Sequence, residues 1–166
     1  MMQQWKKDVD QFLELASKHA VRMLMVGGAA VNFHGYQRHS ADVDFWLDTS
    51  PENLDKLGRV FKDMGFDFNG FPPEVHEQKQ NISLKFSPAD LDVELITKFN
   101  VGRPFDQAYE ASELVQIGTN KIAKLRVLTL DDLISSKIKS NRTKDLLDIK
   151  ELRRLNDPKR NKGLGL

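Results

Sequence analysis

The chain contains no cysteine among its 166 residues, which excludes a disulfide framework and any metal or redox site built on thiolates. Long apolar runs are also missing, since no stretch approaches the roughly 18 residues that a membrane span needs. The first eight residues, MMQQWKKD, lack the apolar region of a signal peptide. We therefore expect a cytoplasmic protein that has no membrane partner.

A large excess of charge of either sign is absent as well, because the formal net charge is only +1. The charges are nevertheless unevenly distributed: residues 1–40 carry 5 basic and 3 acidic groups, residues 41–110 carry 7 and 14, and residues 111–166 carry 13 and 7. An acidic middle and a basic end could hold a cation in one place and an anion in another. Solvated helix faces explain the same distribution, and charge alone favours that simpler interpretation.

Length and composition fit one domain with an ordinary core. Hydrophobic residues make up 40% of the chain and charged residues 30%, which is typical of globular proteins. Folding of a chain this long buries roughly 70% of its unfolded surface, so it needs no cross-links. We expect a core over residues 1–128, C-terminal helices over 129–157 in the same domain, and a disordered tail over 158–166.

Hydrophobic periodicity predicts a mixed α/β (α+β) order of elements. An amphipathic helix is expected to end near His19, and a helix capped by Ser50 is expected to end at Gly65. Residues 69–80 are expected to form a loop, and residues 105–112 one or two helical turns. Strands are predicted over residues 23–26, 42–47, 82–86, 91–96, 114–117 and 122–127, the last two as a hairpin.

Two helices are predicted at the C-terminal end. The first is capped by Thr129 and continues to about Lys139, and residues 140–143 interrupt it. The second is expected to place five apolar side chains on its buried side: Leu146, Leu147, Ile149, Leu152 and Leu155. Lys144 and Asp148 have the spacing of an ordinary i,i+4 ion pair on this helix.

Two carboxylates are the first candidates for chemistry. Asp42 and Asp44 are two residues apart on a predicted strand, so both project from the same face. A divalent cation would relieve their mutual repulsion, and carboxylate oxygens suit Mg²⁺ or Mn²⁺. Taken alone, the pair is more simply read as two acids on a solvent-facing edge strand.

A glycine pair precedes these acids. Gly27 and Gly28 stand between a predicted strand and a short helix, where exposed N–H groups and the helix dipole favour a phosphate. Arg38 could contact a triphosphate, and Ser40 could donate a hydrogen bond to it or shape the turn. Each of these features alone is more often structural.

Together the features resemble the nucleotidyltransferase superfamily, whose pattern is a Gly-Gly or Gly-Ser turn, a short helix and then Asp-x-Asp. The chain is most similar to the minimal nucleotidyltransferases of the AbiEii toxin-like group. Residues 26–30 read Val-Gly-Gly-Ala-Ala, residues 34–35 His-Gly, and residues 38–44 Arg-His-Ser-Ala-Asp-Val-Asp. Residues 130–137 and 142–149 resemble the C-terminal signature of the same group, so the resemblance runs from about residue 20 to residue 155.

The resemblance implies a nucleotidyltransferase-like fold, in which a small mixed sheet is flanked by helices, and a third carboxylate on a later strand. Glu94 fits the family spacing best, because it is followed by Leu-Ile-Thr and by a Phe-x-x-Ala segment; Asp92 is the alternative. The family usually has Asp at this position. One additional methylene could displace the carboxylate by about 1 Å, an error that can cost roughly 100-fold in rate.

The implied reaction moves a nucleoside monophosphate from a nucleoside triphosphate to a hydroxyl of an RNA such as tRNA, a protein or a small molecule. The resemblance assigns Asp42, Asp44 and Glu94 to catalysis and to Mg²⁺ or Mn²⁺. It assigns Gly27, Gly28, Arg38, Ser40 and Lys137 to the nucleotide. Toxin-like relatives make a role as a toxin–antitoxin component, with a partner antitoxin protein, an expectation.

Two other functions stay open at this stage. The chain could be a catalytically weak nucleotidyltransferase-like protein that binds a nucleotide or a partner, which the Glu at position 94 keeps in consideration. Alternatively, the basic segment 137–162 could bind RNA while the α/β part serves as a scaffold.

Overall fold

The computed structural model describes residues 2–37, 42–85, 92–117 and 123–159, with the side chains of residues 2–8, 42 and 117 left aside. The helices of these ranges are α1 (Met2–Lys18), α2 (Gly27–Phe33), α3 (Pro51–Asp63), α4 (Pro73–His76), α5 (Phe105–Ala111), α6 (Leu130–Ser140) and α7 (Thr143–Leu155). The strands are β1 (Met23–Val26), β2 (Asp42–Leu47), β3 (Ile82–Lys85), β4 (Asp92–Ile96), β5 (Glu113–Ile117) and β6 (Ala123–Val127).

The six strands form one mixed sheet in the order β3-β4-β2-β1-β6-β5. The pairs β2–β4 and β1–β6 are parallel, and the pairs β1–β2, β3–β4 and β5–β6 are antiparallel. Strand β2 therefore lies inside the sheet, between β1 and β4. Asp42 and Asp44 therefore do not lie on an edge strand, so the simpler explanation of the Asp-x-Asp pattern, two acids on a solvent-facing edge, does not apply.

The core follows the alternation of the central strands. Phe45, Val93 and Leu95 are fully buried, and Phe12 and Ala16 of α1 are buried with them. Helix α1 packs against β6 and α3. Helix α3 begins as its sequence predicts, because the Ser50 hydroxyl accepts a hydrogen bond from the N–H of Asn53.

Most predicted elements are present, and the mixed α/β fold class is confirmed. The structure has more helix than the sequence predicted in two places. Helix α2 starts at Gly27 itself, and the predicted loop 69–80 contains α4. Pro73 opens α4, since proline suits the first turn of a helix, where its missing N–H is not needed. None of the helices in the described ranges has the length and apolar character that a bilayer crossing demands.

The predicted buried side of α7 was wrong in part. Leu146 and Leu147 are 55% and 51% exposed, whereas Asp145 and Asp148 of the same helix are buried. The helix is rotated in this way because both carboxylates face the ammonium of Lys137, 3.3 Å and 3.0 Å away. The buried ion pair of Asp148 is thus with Lys137 of α6. The sequence had instead predicted a pair between Asp148 and Lys144.

Candidate active site

Acidic residues line adjacent positions of two neighbouring strands. In the parallel pair of β2 and β4, Asp42 lies opposite Asp92, and Asp44 lies opposite Glu94. Register partners of a sheet project from the same face, so Asp44 and Glu94 share one face, and both side chains are half-buried. The acids that the sequence marked in two separate segments therefore come together in the middle of the sheet.

The glycine turn lies directly against one of these acids. Gly27 has φ +62°, and a β-carbon at this position would lie 2.6 Å from Oδ2 of Asp44. Because this backbone region costs other residues energy and a side chain would meet the carboxylate, glycine is required here on two counts. The Val26–Asp44 register of β1 and β2 explains why the turn and the acid meet.

Helix α2 begins without a side-chain cap, since Val26 occupies its N-cap position. Its other end is fixed by two contacts. Nε2 of His34 lies 2.7 Å from the carbonyl oxygen of Leu128, and the side-chain amide of Asn156 donates to the carbonyl oxygen of His34 over 2.9 Å. These contacts tie the helix that carries Gly27 to the end of β6 and to α7.

Ser83 is a residue of this site that the sequence did not single out. It lies opposite Glu94 in the antiparallel pair of β3 and β4, and its hydroxyl donates a 2.5 Å hydrogen bond to Oε2 of Glu94. The strand pattern of residues 82–86 placed a serine near this edge. Only the register with β4 shows that the serine holds the candidate carboxylate.

The opposite end of the same sheet face is covered by α5. Trp46 lies two residues beyond Asp44 on β2 and packs edge-on against the ring of Phe105, with 5.1 Å between the ring centroids. Two guanidinium groups lie over the Tyr109 ring, with the Cζ of Arg22 4.7 Å and that of Arg126 5.1 Å from the ring centroid. The aromatic residue next to the acids is thus part of a packed layer.

Lys137 lies in a buried cluster. Its side chain is 6% exposed and pairs with Asp145 and Asp148. Burial alone would raise the pKa of Asp145, but hydrogen bonds from the side chain and backbone of Arg142, with the charge of Lys137, lower that pKa below its usual value. The structure therefore gives the ammonium of Lys137 a place between two carboxylates that hold α7 on α6.

Other predicted residues lie outside the described parts of the chain. Arg38 and Ser40 belong to the segment between α2 and β2, and only the backbone of Asp42 is described. Gly28 is described and is buried in the first turn of α2. Its neighbour Gly27 is the glycine that contacts Asp44.

The donor set fits a hard divalent cation, because Asp44 and Glu94 offer carboxylate oxygens side by side on one face. Within the described side chains, which exclude that of Asp42, no three His, Asp or Glu groups converge as a complete metal site. A cation here would therefore depend on the carboxylate of Asp42 or on substrate phosphates as additional ligands. Asp92 can provide a further carboxylate, because it lies two residues before Glu94 on β4, opposite Asp42.

Comparisons with known proteins bear on the family and the fold of the chain. A model of the family described as nucleotidyltransferase of unknown function (DUF6036) matches residues 6–157. One solved structure of similar fold is ANT(2")-Ia in complex with adenylyl-2"-tobramycin, with TM-score 0.54 and 12% identity over 96% of this chain and 94% of that chain. No curated protein matches the chain significantly.

Proposed function

The chain belongs to this family of nucleotidyltransferases, and on that premise we propose that it transfers a nucleoside monophosphate from a nucleoside triphosphate to an acceptor hydroxyl. The observation that carries the proposal is the register of β2 and β4. It sets Asp44 beside Glu94, and the register of β1 with β2 sets Asp44 against the Gly27 turn. A carboxylate pair beside a strand-to-helix glycine turn is an arrangement suited to a metal-bound triphosphate.

We assign Asp42, Asp44 and Glu94 to holding Mg²⁺ or Mn²⁺, with Asp92 as the alternative third carboxylate. When bound, the cation would neutralise charge that develops on the attacking and leaving oxygens. The reaction forms a bond between the acceptor oxygen and the α-phosphorus and breaks the bond to the β-phosphate oxygen, and pyrophosphate leaves. Glu94 would accept the proton of the acceptor hydroxyl, and Ser83 would hold its Oε2 during this transfer.

We assign the triphosphate to the backbone N–H groups of Gly27 and Gly28, helped by Arg38 and Ser40. The absence of a side-chain cap at the start of α2 supports the first part of this assignment. Lys137 was expected to neutralise triphosphate charge. Its burial between Asp145 and Asp148 supports a structural role instead.

The acceptor is the least constrained part of the proposal. We propose three classes of hydroxyl: those of an RNA such as tRNA, of a protein, and of a small molecule. The solved structure of similar fold holds adenylyl-2"-tobramycin, which supports testing small molecules first. A role as an AbiEii-like toxin with a protein antitoxin remains part of the proposal and rests on the sequence signatures alone.

One observation favours a second candidate, a nucleotidyltransferase-like protein that binds its nucleotide with little turnover. Ser83 lies on β3, on the side of β4 away from β2, and it engages one oxygen of Glu94. This bond ties the Glu94 side chain to β3, the neighbour of β4 on the side opposite to Asp44. A weakly active site would follow if that position persists with substrate bound.

The test is transfer of label from α-³²P nucleoside triphosphates, with Mg²⁺, to tRNA, to purified protein and to aminoglycosides. The proposal predicts that one acceptor becomes labelled and that Asp44→Asn abolishes labelling. The matched control is Asp63→Asn, an exposed carboxylate that pairs with His19 instead. Retained labelling in Asp44→Asn would contradict the site, and metal-dependent nucleotide binding without labelling would favour the second candidate.

The same assay separates the two possible third carboxylates. We expect Glu94→Gln to lower the rate about 100-fold or more and Asp92→Asn to lower it far less. The reverse order would move the third carboxylate to Asp92.

A further inference from the structure

A cavity of about 590 Å³ opens between α3 and residues 68–76, at a distance along the chain from the acidic site. Its volume lies within the roughly 300–1,000 Å³ that small-molecule sites occupy. Helix α3 follows the C-terminal end of β2, whereas Asp44 belongs to the N-terminal half of that strand. The lining includes Gly58, Arg59, Lys62, Phe68, Phe71 and His76.

One wall of the cavity consists of aromatic rings in fixed positions. The rings of Phe68 and Phe71 lie 4.7 Å apart, and Phe61 from the core packs edge-on against both. Phe68 lies against α3 at Gly58, where a β-carbon would come within 2.7 Å of the ring. Glycine within a helix costs about 1 kcal/mol relative to alanine, and here it makes room for the ring. The wall therefore offers a preformed apolar surface made of two rings that are tilted by 58° to each other.

The rim of the cavity carries unpaired positive charge. Arg59 and Lys62 are three residues apart, so they lie on one side of α3. Within the described parts of the chain, neither side chain makes an ion pair or a hydrogen bond, whereas Lys56 of the same helix pairs with Glu52. His76 adds an imidazole to the lining, whose single carboxylate is that of Asp55.

We propose that this cavity binds a small aromatic anion. Its flat ring lies against Phe68 and Phe71, and its phosphate or carboxylate group lies between Arg59 and Lys62. Charge-assisted hydrogen bonds to Arg and Lys are the stronger class of such bonds, and ring stacking adds to the burial of apolar area. The site is independent of the proposed nucleotidyl transfer, because it shares no lining residue with the acidic site.

The probes are phenyl phosphate, benzoate and AMP, with benzyl alcohol as the uncharged analogue, titrated into ¹⁵N-labelled protein without divalent metal. We expect phenyl phosphate or benzoate to shift the amide signals of Gly58 and Gly70, and benzyl alcohol to bind at least about tenfold more weakly. AMP that shifts the same signals would identify a nucleotide as the source of the anion. AMP that fails to do so while benzoate binds would identify a simple aromatic acid.

The variant that tests the charges is Arg59→Gln with Lys62→Gln, and Lys56→Gln is its matched control on the same helix. Arg59 and Lys62 are exposed and Lys56 is only partly buried, so the fold is expected to persist in both variants. We expect the double variant to weaken binding at least about tenfold and the control to leave it unchanged. Equal binding by the double variant, equal binding of benzyl alcohol, or no shift with any anion at millimolar concentration would overturn the proposal.

Discussion

A β-carbon on Gly27 would lie 2.6 Å from Oδ2 of Asp44. The contact joins the turn after β1 to the carboxylate of β2. Gly27 and Asp44 are separated in the sequence by α2 and the segment that follows it, yet a change at one position affects the other. A side chain at Gly27 would displace the carboxylate before any ligand arrives.

Gly27→Ala is expected to lower nucleotidyl transfer at least about tenfold, because it both strains the backbone and moves Asp44. The measurement is the initial rate of label transfer, with the thermal midpoint recorded on the same preparation. Gly65→Ala is the matched control, since Gly65 also has a positive φ of +89° but has no atom within 4 Å of its potential β-carbon. Equal loss of activity in the two variants would show that backbone strain alone explains the effect.

Ser83→Ala is expected to lower kcat about 10- to 100-fold and to leave KM for the nucleotide unchanged. The hydroxyl holds Oε2 of Glu94, and a hydrogen bond to a charged group contributes about 1.5–3 kcal/mol. Ser83→Thr keeps a hydroxyl and should restore most of kcat. Full activity in Ser83→Ala would show that Glu94 needs no positioning by β3.

Lys137→Met is expected to lower the free energy of unfolding by about 3–5 kcal/mol, because it leaves the buried carboxylate of Asp148 without its cation and leaves that of Asp145 with Arg142 alone. Urea denaturation measures this effect. Lys144→Met, at an exposed position of α7, is the control and should change stability little. We expect nucleotide affinity to be unchanged at protein concentrations and temperatures where Lys137→Met is folded. A selective loss of nucleotide affinity would instead support the original prediction that Lys137 neutralises the charge of the triphosphate.

Stability should fall in acid partly through Asp145. Its pKa is lower in the folded chain than in the unfolded chain, so the unfolded chain binds more protons as the pH falls. The stabilisation is complete above the ordinary carboxyl pKa of about 4 and is lost as the pH falls through the folded pKa. The urea midpoint of Asp145→Asn should therefore depend less on pH below about pH 4 than that of the natural chain. Asp131→Asn, an exposed change on α6, should keep the natural pH dependence.

The sequence allowed much of the fold to be predicted, because local signals decide it. A short apolar run predicted β1, β-rich composition predicted β2, and the Ser50 cap with Pro51 predicted the start of α3. The buried side of α7 could not be predicted from its leucines. Asp145 and Asp148 are buried by pairing with Lys137 of another helix, and no periodicity within α7 contains that information.

The candidate site shows the same division. The spacing of Asp42 and Asp44 and the glycine pair were visible in the sequence, and the family match agrees with the function that they indicated. Ser83 and the contact of Gly27 with Asp44 depend on strand register and on a turn in three dimensions. The structure was required to find both.

Binding of Mn²⁺ together with a non-hydrolysable ATP analogue tests the central claim most directly, with electron paramagnetic resonance as the readout. We predict that the analogue promotes tight Mn²⁺ binding to the natural chain and to Asp63→Asn. Asp44→Asn, which retains the shape of the side chain without its charge, should lose this tight binding. Undiminished Mn²⁺ and analogue binding by Asp44→Asn would contradict the claim that the acids of β2 and β4 hold the metal-bound nucleotide.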